Sequence, residues 1–501
     1  MELLAEITVR GLSILSTLVV LIAAALVIAA IAMYFIDRGQ SEDAVRHNYP
    51  VVGRFRDLFE RLGEFFRQYF FALDREEMPF NRAEREWIYK SAEGRDNTQP
   101  FGSTRNLTVA GAPIFVNAAF PPLDDEVTDA APVIFGPGAR HPYTMTSIIN
   151  ISAMSFGSLS KPAVQALSRG AKLAGCWLNT GEGGLSPWHL EGGCDIVFQI
   201  GTAKYGVRDA DGALSDEKLR AIAEKPEVKM IELKLAQGAK PGKGGILPAE
   251  KVTEEIAAIR GISAGEASLS PNRHLEIAST GDLLDMIGRL RSVSGLPTGF
   301  KTVFSSAAWM EELCAGIAER GPDAAPDFIT IDGGDGGTGA APMPLMDNVG
   351  LPLREALPML VDALRRHGLN DRIKVIASGK LVTPAEVAWA YCAGADAVNT
   401  ARGFMFAIGC IQAMRCNTNM CPTGVTTHKK HLQEGLDPEA KAEHVQHFVE
   451  KMRKGVGMIA HSCGVAEPRA LRRRHVRIVQ ADGRSVPMDA LFPETAASDA
   501  A

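Results

Sequence analysis

The chain has 501 residues, 46% hydrophobic and 22% charged, enough for one large domain with additions and ample apolar residue for a core. Its formal net charge of -6 gives no footing for nucleic-acid binding. Eight cysteines in a chain this long are not a disulfide scaffold; three cluster and five are scattered, which fits a reducing compartment with one metal or cluster site.

Residues 11–36 carry no charge (GLSILSTLVVLIAAALVIAAIAMYFI). At about 1.5 Å per residue a helix over this run exceeds a hydrocarbon core of roughly 30 Å, so a single transmembrane helix is expected. A cleaved signal peptide is the competing reading, since Ala30-Ile31-Ala32 resembles a cleavage site; the run is long for that, and its basic flank is Arg10 alone. Arg38, Arg46, Arg54, Arg56, Arg61 and Arg67 follow the run. The positive-inside rule then anchors the chain in the inner (cytoplasmic) membrane with the remainder in the cytoplasm.

Residues 51–72 have a roughly helical period, with Phe55, Leu58, Phe59, Leu62, Phe65 and Phe66 on one side. Such a helix either packs on the main domain or lies on the membrane beside the anchor. The polar segment 74–104 reads as an irregular extended arm. From about residue 145 short apolar runs alternate with helical patterns, the signature of βα units and a parallel sheet. Eight strands are predicted, at 147–154, 175–180, 195–200, 228–235, 298–304, 327–332, 372–378 and 396–401. Eight such units imply a closed (β/α)8 barrel of the α/β class, with its active site at the C-terminal strand ends. The connection 236–297 is unusually long and rich in Gly and Lys, as functional loops are. The tail reads as helical over 436–460 and becomes Arg-rich at Arg472, Arg473 and Arg474.

The sharpest local signal is Cys410-x5-Cys416-x4-Cys421, followed by Pro422. Three thiolates this close are natural iron–sulfur ligands. Structural zinc normally takes four ligands, often with a tighter pair, and the next cysteine is Cys463. Three ligands suit a [3Fe–4S] cluster; three inert buried cysteines are the bland alternative. A second signal is Gly-rich sequence directly after strands: Met154 to Ser158, Asn179 to Gly184, Asp332 to Gly339 and Ser378-Gly379-Lys380. Together these favour a phosphorylated cofactor at one barrel face, with Ser378-Gly379 and Ala401-Arg402-Gly403 placed for a flavin phosphate. Lys301 interrupts an apolar strand, so it faces a polar cavity or an ion-pair partner. The loop running from Lys234 through Gln237 and Lys240 to Pro248 is cationic and flexible, and Arg260 follows. Lys and Arg suit a dicarboxylate, although a solvated basic loop looks the same in sequence.

The segments ISAMSFGSLS, NTGEGG, LAQGAKPGKGG, GGDGGTGAAP and GCIQAMRCNTNMCPTGV, in that order, resemble the FMN-binding synthase domain of glutamate synthase over roughly residues 90–430. The resemblance implies a (β/α)8 barrel with FMN and a [3Fe–4S] cluster, which forms L-glutamate by reducing the 2-iminoglutarate made from 2-oxoglutarate and ammonia. It makes Cys410, Cys416 and Cys421 the cluster ligands. It puts Glu182 near the flavin, and assigns Lys240 and Arg260, with Gln237 nearby, to 2-oxoglutarate. Glu182 and Lys240 are the catalytic candidates. Ser155, Asn179, Lys301, Gly333, Gly379 and Ala401 fall in segments that line FMN. The expected organisation is a short tail (1–10), a transmembrane helix (11–36), a juxtamembrane helix and arm (37–104), the barrel with its iron–sulfur motif (105–430), and a helical extension and tail (431–501).

The chain departs from the large synthase in three ways. It lacks the N-terminal nucleophilic cysteine of the glutaminase domain, its first cysteine being Cys176. It has too few residues after the barrel for the family's β-helix domain. Position 246 is Ile where the family usually has Gln. Ammonia is therefore expected free or from a separate glutaminase-like subunit. No dinucleotide fingerprint is evident, so the expected electron donor is a ferredoxin or a reductase subunit. Two alternatives stand beside this reading: an N-alkylglutamate synthase subunit that uses an amine, and a membrane-tethered flavin and iron–sulfur electron-transfer module. A hydroxy-acid oxidase ranks low, because the candidate bases His189 and His274 are expected in loops and neither ends a predicted strand.

Overall fold

The computed structural model describes residues 1–40 and 43–493; the last residues of the predicted tail, 494–501, lie outside them. The chain divides into two compact units, Met1–Ala83 and Glu84–Ala501.

The first unit opens with a helix over Glu2–Gly39, longer than the uncharged run because flanking polar residues continue it. Glu6–Gly39 is long and apolar enough to cross a membrane, and none of its most apolar window is buried. At its end Asp37 accepts from Arg54 Nη2 at 2.7 Å and from the Val51 amide at 2.9 Å. Asp37 is buried by these partners, so the chain folds back at a fixed point. A short helix at Ala44–Asn48 and a longer one at Arg54–Phe66 follow, and the helical segment then widens into a π-helical turn over Arg67–Phe71.

The second unit is built on a closed barrel of eight parallel strands. They are β1 (Asn150–Ile151), β2 (Leu178–Asn179), β3 (Ile196–Ile200), β4 (Val228–Lys234), β5 (Thr298–Thr302), β6 (Phe328–Asp332), β7 (Lys374–Ser378) and β8 (Ala397–Thr400). Each lies inside one of the eight predicted runs, and β8 closes on β1 through Asn399 opposite Asn150. Strands covered on both faces read as near-continuous apolar runs, which is why they were visible in sequence.

Alternate residues point into the barrel. The lowest layer, Trp177, Val197, Met230, Phe328, Ile376 and Ala397, forms one apolar cluster with Val133, Phe135, Tyr143 and Met145. The last four belong to an antiparallel hairpin, Val133–Phe135 with Tyr143–Met145. Phe135 meets Trp177 and Phe328 edge-on, at 5.7 and 5.9 Å between ring centroids. This hairpin plugs the N-terminal end of the barrel and leaves the C-terminal end for chemistry.

Outside the barrel, helix Pro438–Ser462 packs on helix Lys161–Ala174. A Cβ at Gly170 would lie 2.4 Å from Val445 Cβ, so only glycine permits the approach. The predicted irregular arm is corrected here: Arg82–Ala92 is helical and buries Arg85, Ile88 and Ala92 on one face. Its Glu, Arg, Lys and Ala residues are good helix formers, and high polarity had masked the spacing. The Arg-rich tail is also partly interior. Arg473 is fully buried against Asp362, 2.7 Å away, and Val476–Val479 pairs with Pro113–Phe115 and Ser485–Pro487.

Candidate active site

Above the apolar layer the barrel interior turns polar. Glu232, two residues before Lys234 and so on the same face, accepts from Asn179 Nδ2 at 2.8 Å, Gln199 Nε2 at 2.7 Å and Thr330 Oγ1 at 2.5 Å. Four strands are thus tied together by one buried carboxylate. Sequence reading missed Glu232, although a polar residue inside an apolar strand is the same signal that singled out Lys301. The Lys301 ammonium lies 3.3 Å from Asp332 Oδ2, the second of the two outcomes its position allowed.

At the strand ends, Glu182 leaves the loop after β2 and lies against two glycines. A Cβ at Gly201 would sit 2.6 Å from Glu182 Cβ, and one at Gly245 would sit 2.6 Å from its Oε1. Lys234, the last residue of β4, reaches Glu182 Oε1 at 2.9 Å and donates to Gln237 Oε1 at 2.5 Å. Burial pushes the Glu182 carboxyl up, but the ammoniums of Lys234 and Lys240 and the Arg260 guanidinium outweigh it and hold it below the usual range. Lys240 is only 3% exposed. Burial draws its pKa down to about 8, Glu182 resisting and Lys234 assisting.

Arg260 is buried beside the same loop, donating to Ser268 Oγ at 3.2 Å and to the Phe156 carbonyl at 3.3 Å. Its Nε is buried with no partner among the described residues. Cβ atoms built on Gly183 would meet Arg260 Nη2 and Ser155 Cβ, each at 3.0 Å, so these two residues flank the Glu182 loop. The fold therefore gathers Glu182, Gln237, Lys240, Arg260 and Ser155, and adds Lys234.

His274 was expected in a loop and not at the end of a predicted strand. It does lie in a loop, but its Nε2 is 2.9 Å from the Lys234 carbonyl. A carbonyl only accepts, so Nε2 carries the proton and Nδ1 is a buried acceptor without a described partner. Burial pulls its pKa to about 4, so the ring is neutral. His189 sits in the short helix Pro187–Leu190, where its Nε2 meets the Met154 carbonyl at 2.8 Å and burial again keeps the pKa near about 4.

The remaining flavin candidates lie around the ends of β5 to β8. The Gly238 amide donates to Asp332 Oδ2 at 2.9 Å, and a Cβ there would fall 1.9 Å from the Gly333 carbonyl oxygen. Gly333 in turn donates to Ser378 at 2.8 Å. The backbone then turns left-handed at Gly379 (φ 137°) and Lys380 (φ 50°), where barrels commonly seat a phosphate. Ala401 precedes the short helix Arg402–Ala407, and Arg402 donates to the Thr338 carbonyl at 2.6 Å, joining the loops after β6 and β8.

The three clustered cysteines stand beyond that junction. Cys410 and Cys421 are buried and Cys416 is half-buried. Their loop coils through left-handed backbone at Gln412, Met414 and Asn419. The Tyr89 hydroxyl donates to the Cys410 carbonyl at 2.7 Å. Lys251 Nζ bridges the Ser158 carbonyl (2.7 Å) and the Cys416 carbonyl (3.3 Å). Burial raises the Cys410 thiol, Arg402 opposes, and the neighbouring Cys416 and Cys421 raise it further. The three thiols thus share one electrostatic neighbourhood. Among the described residues, no group of three His, Cys, Asp or Glu side chains is gathered closely enough to hold a metal ion as it stands.

Residues 126–466 match a family model described as the conserved region in glutamate synthase. The chain is 39% identical over 499 residues to the glutamate synthase large subunit-like protein YerD of Bacillus subtilis (strain 168), covering 92% of this chain and 94% of that protein. It is 34% identical over 333 residues to the archaeal glutamate synthase (NADPH) of Methanocaldococcus jannaschii, covering 66% of this chain and 61% of that relative. Among solved structures, the flavin-binding domain of baker's yeast flavocytochrome b2 aligns at 15% identity with a TM-score of 0.47, over 83% of this chain and 84% of that one, a likeness too loose to bear on function.

Proposed function

The chain belongs to the FMN-binding glutamate synthase family, and from that membership we propose that it forms L-glutamate from 2-oxoglutarate and ammonia by reducing 2-iminoglutarate. It is an FMN-dependent oxidoreductase of the glutamate synthase type. The observation that carries the specific reaction is the charge balance at the barrel mouth. One carboxylate, Glu182, has three cations acting on it, Lys234, Lys240 and Arg260. That excess of positive charge is what a dicarboxylate requires, with Arg260 able to grip one carboxylate through two donors.

We assign FMN to Ser155, Asn179, Lys301, Gly333, Gly379 and Ala401. The loops after β4, β6 and β7 pack closely glycine on glycine, and the left-handed turn this holds at Gly379 and Lys380 suits a phosphate. When bound, FMN supplies the hydride that imine reduction needs and takes up electrons one at a time. The side chains do the rest. Lys240 and Arg260 hold the carboxylates and Glu182 accepts from the N–H groups of the nitrogen; with that nitrogen protonated as the iminium, hydride addition by itself gives the amine. Fixing the oxo-acid in one pose is itself a large part of the acceleration.

Cys410, Cys416 and Cys421 are proposed to hold a [3Fe–4S] cluster; three thiols on one coiled loop are a suitable donor set. Cys416→Ser should abolish the cluster's electron paramagnetic resonance signal while FMN content stays unchanged. Electrons would come from a separate donor, a ferredoxin or reductase subunit, and ammonia free or from a separate glutaminase-like subunit. The Methanocaldococcus relative is named for NADPH, which such a reductase would oxidise. Glu6–Gly39 is proposed to cross the inner membrane once, with the barrel in the cytoplasm.

The deciding experiment is anaerobic stopped flow. Reduced enzyme mixed with 2-oxoglutarate plus ammonium should reoxidise and yield glutamate, and neither compound alone should suffice. Failure with ammonium, glutamine and methylamine alike would overturn the reaction. A second reading is favoured by Ile246, an apolar residue adjoining Gly245 and hence Glu182. An alkylamine in place of ammonia would account for it, and faster reoxidation with methylamine would select that reading.

A further inference from the structure

The helix Arg54–Phe66 carries an unusually clean apolar face. At about 100° per residue, Phe65, Leu58, Leu62, Phe55, Phe66 and Phe59 fall in one arc, and Arg56, Asp57, Glu60 and Arg61 in the other. All six apolar side chains are exposed, between 38% and 65%. The π-helical turn extends the face. Its wider winding brings Phe70 to 6.0 Å from Phe65 and Phe71 to 6.0 Å from Phe66, ring to ring. Tyr69, Phe70 and Phe71 are exposed too. A contiguous aromatic surface of this size needs a cover.

Two further observations say what covers it. The Asp37 clamp on Arg54 and Val51 pins the start of this helix to the end of the long apolar helix. Wherever the first helix leaves a bilayer, the helix Arg54–Phe66 begins. That end is also marked by exposed Tyr34 and Phe35, aromatic residues of the kind enriched at membrane–water boundaries. The charges, by contrast, are largely answered within the segment. Arg54 pairs with Asp37, Arg46 with Asp57, and Arg56 with Glu60 at 3.4 Å. Apart from Arg61 and Arg67, what is left to cover is apolar area.

We infer that Arg54–Phe71 lies flat in the headgroup layer of a lipid bilayer with its aromatic face against the acyl chains. This rests on the proposal that Glu6–Gly39 spans the same bilayer. The aromatic face drives the contact, so it does not require anionic lipid.

The test uses the full chain in phosphatidylcholine nanodiscs, with the photoreactive benzoylphenylalanine replacing Phe59, Phe66 or Phe70 in turn. Arg56 on the polar face and Leu21 in the long helix are substituted as controls. Lipid adducts are expected at the three Phe positions and at Leu21, and not at Arg56. Adducts to protein at the Phe positions, whether to a second copy or within the chain, overturn the inference, as does labelling at Arg56 equal to that at Phe59. Adducts that appear only after anionic lipid is added overturn the claim that apolar area drives the contact. Lipid adducts at the Phe positions but none at Leu21 would leave the flat helix standing and remove the membrane span, so the two readings fail separately.

Discussion

At the scale of single residues, the site depends on how many charges share a small volume. Lys240 sits at a pKa of about 8 because burial lowers it and Lys234 adds to that, while Glu182 pulls the other way. Its folded pKa lies below the ordinary lysine value, so the ammonium is present below about pH 8 and is lost as pH rises through it. If Lys240 holds the oxo-acid, kcat/KM for 2-oxoglutarate should fall above about pH 8, since that parameter reports the free enzyme. Lys240→Arg should move the descent to higher pH. Lys240→Met should lower kcat/KM by about 10- to 100-fold, equivalent to the ~1.5–3 kcal/mol of a charge-assisted hydrogen bond. A pH–rate profile unchanged in Lys240→Arg would exclude this role. Gly245 offers a different lesion. A methyl group there would stand 2.6 Å from Glu182 Oε1, so Gly245→Ala should displace the carboxylate and cut turnover while flavin absorbance stays at its wild-type level.

At the scale of elements, the barrel separates stability from chemistry along its axis. The hairpin Val133–Phe135 with Tyr143–Met145 closes one end, and the Gly-rich loops open the other. Phe135 is fully buried among Trp177, Tyr143 and Phe328. Phe135→Ala should cost about 3–5 kcal/mol of unfolding free energy, the usual cost of emptying an aromatic site. A denaturation midpoint lowered accordingly, with KM for 2-oxoglutarate unaltered, is the expected result. The eight strands were legible because burial on both faces demands unbroken apolar runs. The helix Arg82–Ala92 was not, because polar residues, buried Arg85 and Ser91 among them, interrupt its apolar spacing. Short edge pairings such as Pro113–Phe115 with Val476–Val479 were likewise invisible, since their partners lie hundreds of residues apart.

At the scale of the whole molecule, two compact units divide the work. Met1–Ala83 holds the long apolar helix and the exposed aromatic surface, and Glu84–Ala501 holds the barrel and the cysteine loop. A chain begun at Met78, which keeps the whole of Arg82–Ala92, should purify without detergent and retain FMN. Recovery of that variant only in the membrane fraction would mean that the barrel unit carries a membrane attachment of its own.

What the amino-acid order determined by itself was whatever depends on local pattern. The apolar runs specified eight strands and a long helix, and contiguous motifs specified the family. The three cysteines, Lys240 and Arg260 stood out by residue type and short spacing, while Glu182 and Gln237 became candidates only through the resemblance of their motifs to the family. What only the tertiary structure decided was which charges meet. Lys234 and Glu182 are neighbours because β2 and β4 both end at one mouth. Glu232 matters because three other strands converge on it, and His274 because a long loop folds back onto β4. An ion pair of this kind acts over a few ångströms of space, and distance along the chain does not report distance across a closed barrel.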